Sequence, residues 1–329
     1  MSPEQPPTSL STRIAASNPQ KQEQSPLFAS LHPELRNMVF QHALTEYDDP
    51  ERPYSKHEYY FRPRMESAGK IDTNLLLTCR RIYLETHLAP VALNEHVFWM
   101  YRGPPGHFAS DPGNYLEWMT PEQRAAVRRM RFVTQLFWLE NRRPTVWPAG
   151  LLVPKLAITI RHSDWWGWKN NEPLRIEEPR DGWAGWIGSV PGLQELELEL
   201  ETSDVKREQL EERVRVALGW TFPLAGTHVS LVHDGEEPVK SMWLGTSRMR
   251  PRNCINGSAP DEDDDDEESE EEEWSGDEEG SDEEDGWDEY YNESPREEEP
   301  EDTVESAGLG RKSSVFNSRR LPAKKSRCR

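Results

Sequence analysis

Leu193-Gln194-Glu195-Leu196-Glu197-Leu198-Glu199-Leu200 alternates apolar and acidic residues without a break. A period of two places alternate side chains on opposite faces of a strand, so Leu196, Leu198 and Leu200 line a buried face. Glu195, Glu197 and Glu199 then form a solvated outer face, a more economical reading than paired catalytic carboxylates. Upstream, Leu156-x-Ile158-x-Ile160, the apolar run Phe132 to Leu139 and Val97-Phe98-Trp99-Met100-Tyr101 repeat the strand signal. Downstream, a helix opens near Ser203 and closes at Gly219, with Val205, Leu210, Val214, Ala217 and Leu218 inward, and Val229-x-Leu231 supplies a last strand. Strands separated by helical segments form βα units. The Leu-x-x-Leu-x-Leu pattern hints at leucine-rich-repeat-like geometry, but no period of roughly 20–29 residues is kept. The expected fold is therefore α/β or α+β, an irregular βα sheet with amino-terminal helices packed on it and disordered termini.

Those helices have explicit starts. In Leu31-His32-Pro33-Glu34-Leu35-Arg36-Asn37-Met38-Val39-Phe40-Gln41-His42-Ala43-Leu44, Pro33 suits the first helical position and Glu34 favours the positive end of the dipole. Leu35, Met38, Val39, His42 and Ala43 follow the spacing of one buried face, and Leu31 can staple onto it. After a polar, aromatic stretch from Thr45 to Lys70 that reads as a long loop with one short strand, Asp72 or Thr73 caps a second helix. Its stripe is Leu75, Leu76, Cys79, Ile82, Tyr83 and Thr86, with Arg80, Arg81 and Glu85 on the other face, and Pro90 ends it. Thr120-Pro121-Glu122-Gln123 is a capping box that starts a helix running to about Arg129.

The blocks Leu31-x-Pro33-Glu34-Leu35-Arg36-Asn37-x-Val39-Phe40-x-x-Ala43-Leu44 and Leu75-Leu76-Leu77-Thr78-Cys79-Arg80-Arg81-Ile82-Tyr83, followed by Asn94 to Phe98, resemble the large fungal family of F-box-like proteins. The similarity covers residues 25 to 101 and, more loosely, the continuation to about residue 245. It implies helices that dock onto the Skp1 adaptor of a cullin-type ubiquitin ligase, with Leu31, Pro33, Glu34, Leu35, Val39 and Phe40 as the partner-binding residues, and a downstream region that recruits a client.

Charge divides the chain further. From Asp261 to Glu305 there are 28 acidic residues and one basic one, whereas the end from Ser306 carries 8 basic residues and no acidic one. The low overall pI of about 4.9 thus describes a tail. Five segments follow: a disordered leader (1–24), an F-box-like helical region (25–101), an irregular α/β region (102–250), an acidic disordered tail (251–305) and a basic disordered end (306–329). Self-repulsion keeps such an acid run extended, ready for basic partners such as histones. Ser269, Ser275 and Ser281 precede acidic residues in the manner acidophilic kinases favour. Arg319, Arg320, Lys324, Lys325 and Arg327 compose a candidate nuclear-import signal, which points to nuclear or nucleocytoplasmic residence. Three dispersed cysteines, Cys79, Cys254 and Cys328, favour neither a disulfide framework nor a zinc module.

The remaining clusters favour structure over chemistry. Trp165, Trp166, Trp168, Trp183 and Trp186 read as a loop or lid packed over the sheet in preference to a ligand platform. Gly182, Gly185, Gly188 and Gly192 lack a phosphate-binding fingerprint and read as loop residues, and His32, His42, His87 and His96 lack metal-ligand spacing. Arg128, Arg129 and Arg131 read as a solvated helix end, so direct nucleic-acid binding is not expected. No catalytic set, metal site or cofactor is expected, and no apolar run approaches the ~20 residues needed to span a bilayer. Two functions are open: an intracellular F-box-like adaptor, and a nuclear non-ligase interaction protein whose acidic tail binds basic partners.

Overall fold

Alternation in Leu193–Leu200 places one strand at the middle of a mixed sheet, and the rest of the molecule assembles around it. The structure, a computed structural model, describes residues 9–105, 112–142, 146–179, 182–245 and 314–327. Three amino-terminal helices, α1 (Leu10–Ala16), α2 (Pro26–Ala29) and α3 (Pro33–Leu44), precede an antiparallel pair, β1 (Tyr47–Pro53) and β2 (Ser67–Lys70). Helices α4 (Leu75–Thr78), α5 (Arg80–Thr86) and α6 (Ala89–Leu93) lead into β3 (His96–Trp99). Then follow α7 (Pro112–Glu117), α8 (Pro121–Ala126), β4 (Arg129–Val133), α9 (Leu136–Glu140), β5 (Lys155–Ile160), α10 (Trp183–Gly188) and β6 (Glu195–Ser203). The chain continues with α11 (Arg207–Ala217), β7 (Thr221–Pro223), β8 (Val229–His233), β9 (Val239–Gly245) and β10 (Ser314–Arg327).

Strands β3, β4, β5 and β6 lie side by side in sequence order and run parallel. Each therefore needs a crossover, and consecutive right-handed crossovers between adjacent strands put all the helices on one face. The burial pattern agrees: Phe98, Phe132, Ile158 and Leu198 of the strands share one core cluster with Leu116, Leu139, Trp186 and Leu210 of the helices. Beyond β6 the sheet turns antiparallel. β10 pairs with β6 on one side and with both β8 and β9 on the other, while β7 pairs with β8 at the edge.

Several expectations need correcting. The apolar run Phe132 to Leu139 is not one strand, because β4 stops at Val133 and a short helix starts after Gln135, with Leu136 and Leu139 buried. The helix after β6 starts at Arg207, behind a 3₁₀ turn that leaves Val205 exposed. Cys79 breaks the second amino-terminal helix: its backbone is extended (φ −158°), and its Sγ accepts the Ile82 N–H as the cap of α5. Gly185 and Gly188 belong to α10, and Gly188 is needed there because a Cβ would overlap the carbonyl of Pro223, the last residue of β7. The capping box forms as read: the Thr120 hydroxyl accepts the Gln123 N–H at 3.2 Å and Gln123 Oε1 accepts the Thr120 N–H at 2.9 Å.

At the ends the differences are larger. Residues 10–16 of the expected leader form α1, capped by Ser9 and tied to α5 by Arg80, whose Nη1 donates to the Ser17 hydroxyl at 3.2 Å. Residues 314–327 of the expected basic end form β10, an interior strand. The acidic tail over 251–305, with Ser269, Ser275 and Ser281, lies outside the described residues.

Candidate interaction surface

Helix α3 carries two apolar stripes, and the structure buries the one not expected. Phe40 and Leu44 are in the core together with Arg36, one turn apart each, whereas Leu35, Met38 and Val39 are 52%, 63% and 52% exposed. At 3.6 residues per turn the exposed trio faces nearly opposite the buried one. Packing decides between the stripes: Phe40 is the bulkiest apolar group on the helix, and burying it brings Leu44 and Arg36 with it.

Arginine at a buried position requires a partner, and α5 supplies Glu85. Arg36 Nε and Nη2 donate to the two Glu85 oxygens at 2.9 and 3.3 Å, a bidentate clamp, while Nη1 reaches the Leu31 carbonyl at 3.3 Å. Arg81 Nε donates to the same carboxylate at 3.2 Å, and both guanidinium groups lie over the Phe28 ring, at 5.0 and 4.0 Å. The other end of α3 is fixed by buried Asn94, whose Nδ2 donates to the carbonyls of Leu44 (3.0 Å) and Pro90 (2.8 Å) and whose Oδ1 accepts the Glu46 N–H (2.7 Å). Neither Arg36 nor Asn94 was assigned a role from sequence. Thus α3 is held from one side at both ends, and its apolar outer face has water as its neighbour. Of the six candidate partner-binding residues, Leu35, Val39, Pro33 and Glu34 are exposed, Leu31 is half-buried and Phe40 belongs to the core.

The acidic face of β6 is solvated only at its start, where Glu195 is exposed and Glu197 half-buried; further along it turns inward. Glu199 and Glu201 are each 3% exposed. Around Glu199 converge Arg62 Nη2 (3.0 Å), Arg131 Nη1 (3.2 Å) and Arg320 Nε (2.9 Å), and the Thr159 hydroxyl donates at 3.0 Å. Arg131, read as part of a solvated helix end, also pairs with Glu95 at 2.7 Å and Glu197 at 3.3 Å. Burial works against the Glu199 charge, but Arg62, Arg320 and Arg131 override it and hold the carboxyl at about 2. Glu201 moves the other way, raised first by burial and further by Glu199, with Arg62 opposing. A carboxylate clamped by three arginines stays ionised at neutral pH, which suits it to holding the sheet together and not to general acid–base work.

Aromatic and basic candidates resolve similarly. Trp165, Trp183 and Trp186 are in the core, and Trp165 Nε1 donates to the Glu201 carbonyl at 2.7 Å; Trp166 is 37% exposed and Trp168 half-buried against Tyr59 and His162. Of the candidate import residues, all five lie in β10: Arg320 is paired with Glu199, and Lys324 Nζ stands 3.4 Å from Asp234 Oδ2. The backbones of Arg319, Lys325 and Arg327 are in register with neighbouring strands. Among the described residues no cluster of three His, Cys, Asp or Glu side chains is arranged to hold a metal ion, and no helix is long and apolar enough to cross a membrane. No protein-family model matches the chain, and no curated protein and no solved structure matches it significantly.

Proposed function

We propose that the chain is a protein-interaction adaptor of the F-box-like kind, in which the outward face of α3 docks a Skp1-type partner and the α/β region recruits a client. The observation that carries this reading is the exposure of Leu35, Met38 and Val39 together on one face of a helix that Arg36, Phe40 and Leu44 fix from behind. A rigid amphipathic helix with aliphatic groups in water suits the helix-in-groove mode, where anchors spaced three and four apart enter a partner's cleft. Co-purification with Skp1 tests it. Leu35→Asp and Val39→Asp together are expected to abolish capture while leaving the fold intact, and capture that survives both changes would overturn the adaptor reading.

A second reading draws on composition. The 28 acidic residues between Asp261 and Glu305 suit a nuclear interaction protein that holds basic partners such as histones electrostatically. Histone capture that weakens as salt rises and disappears on deletion of residues 261–305 supports it. Capture indifferent to that deletion removes it.

A further inference from the structure

The last strand in sequence occupies an inner place in the sheet. β10 is inserted between β6 and the line formed by β8 and β9, although residues 246–313 separate it from β9. Its alternation matches the slot on both faces. Leu321 and Ala323 are buried in the core, while Arg320 donates to Glu199 and Lys324 stands by Asp234. Pro322 would normally argue against an inner strand, since it has no N–H for the ladder. Here it falls between the last β9 partner, Val239 opposite Arg320, and the first β8 partner, His233 opposite Ala323, where that side of β10 has no registered neighbour.

The match is incomplete at one position. Ser318 occupies the register place opposite Glu201, so the position of β10 that faces this carboxylate carries an uncharged residue. Glu201 Oε2 accepts no hydrogen bond, with Arg62 Nη2 3.3 Å away, and Arg62 Nη1 is likewise buried without an acceptor. Among the described residues Glu201 thus draws its ion pair from Arg62 and not from β10.

We propose that the slot between β6 and the β8–β9 line is a strand-acceptor groove for extended basic peptides, filled here by the chain's own residues 314–327 and open to exchange with such a peptide from another protein. The ligand class follows from the slot. Small apolar residues enter the core at the Leu321 and Ala323 positions, and basic residues face Glu199 and Glu201 from the intervening ones, with backbone bonds to β6 supplying sequence-independent affinity. A tethered occupant enjoys an effective concentration of order millimolar, so a free peptide identical to it competes poorly. One that also places a cation opposite Glu201 adds a buried charge-assisted contact that the resident strand lacks. The inference does not involve α3 and stands independently of the adaptor reading.

The experiment uses the full chain with a specific protease site inserted between residues 250 and 311, cut after folding, and fluorescent synthetic peptides of residues 312–329. The cut carboxy-terminal piece is expected to remain bound and then to be replaced by labelled peptide, read by anisotropy. A peptide with Ser318→Lys is expected to bind at least tenfold tighter than the natural sequence, and one with Arg320→Glu at least tenfold weaker. On uncut chain, the Ser318→Lys peptide is expected to enter at concentrations where the natural peptide does not. The proposal is overturned if the piece leaves only when the body unfolds, or if the Arg320→Glu peptide exchanges as well as the natural one. It is overturned too if Ser318→Lys gains nothing, or if uncut chains fill each other's slots instead, which would make a second copy the occupant.

Discussion

Glu199 and Glu201 stand two positions apart on β6 and are equally buried, yet their surroundings give them opposite roles. Replacing Glu199 by Gln leaves Arg62, Arg131 and Arg320 facing a neutral group in the interior, and is expected to cost about 3 kcal/mol in urea unfolding at pH 7. Glu201→Gln removes a charge that burial already disfavours, so it is expected to be neutral or stabilising under the same conditions. The acid limb of stability follows from the signs. His162 is pushed from its ordinary 6.5 down to about 4 by burial and then by Lys206. Its neutral ring therefore contributes stability that is whole above 6.5 and is lost as pH falls through 4. Glu199, held at about 2 against an ordinary 4.5, contributes above 4.5 and loses its share as pH falls toward 2. His162→Asn is expected to flatten the stability profile between pH 6.5 and 4 while leaving the lower limb in place, which denaturant titrations across that range would read.

At the level of elements, α3 separates folding from binding. Leu35→Asp or Val39→Asp touches only exposed surface and is expected to shift stability by no more than about 0.5 kcal/mol. Phe40→Ala empties a core position and is expected to cost about 3–5 kcal/mol. Circular dichroism melts of the three variants beside their partner capture would separate the two effects. Signals confined to a few neighbouring residues were legible: Pro33 starts α3, Thr120 and Gln123 box α8, and the leucines of Leu193–Leu200 point into the core as their alternation requires. Signals that depend on a distant partner were not. On α3 two stripes compete, and the one that Phe40 carries into the core also buries Arg36, which is tolerated because distant Glu85 on α5 accepts it. Glu199 read as solvated, as Glu195 is, because its arginines come from positions 62, 131 and 320, far away in sequence. For the same reason Arg-Leu-Pro-Ala-Lys at 320–324 read as a free basic end: its alternation means a strand only beside the acidic row it complements.

For the whole molecule, these distant pairings converge on one arrangement, in which the carboxy-terminal segment completes a sheet begun near residue 96 and buries the charged face of β6. Ending the chain at residue 311 is expected to unpair β6 from Glu195 to Ser203 and leave β8 and β9 without the strand that joins them to it. A lower midpoint of a thermal transition that stays cooperative, since most of the core lies outside β10, would register the effect. Nuclear import through Arg319, Arg320, Lys324, Lys325 and Arg327 would then require β10 to leave the sheet first, since a receptor reads an extended, accessible chain. The most direct measurement is amide hydrogen exchange of the intact protein, followed by mass spectrometry over residues 314–327. Protection of residues 316–324 comparable to that of their β6 partners, 195–203, is the predicted result. Exchange of that segment within seconds while β6 stays protected would contradict the account.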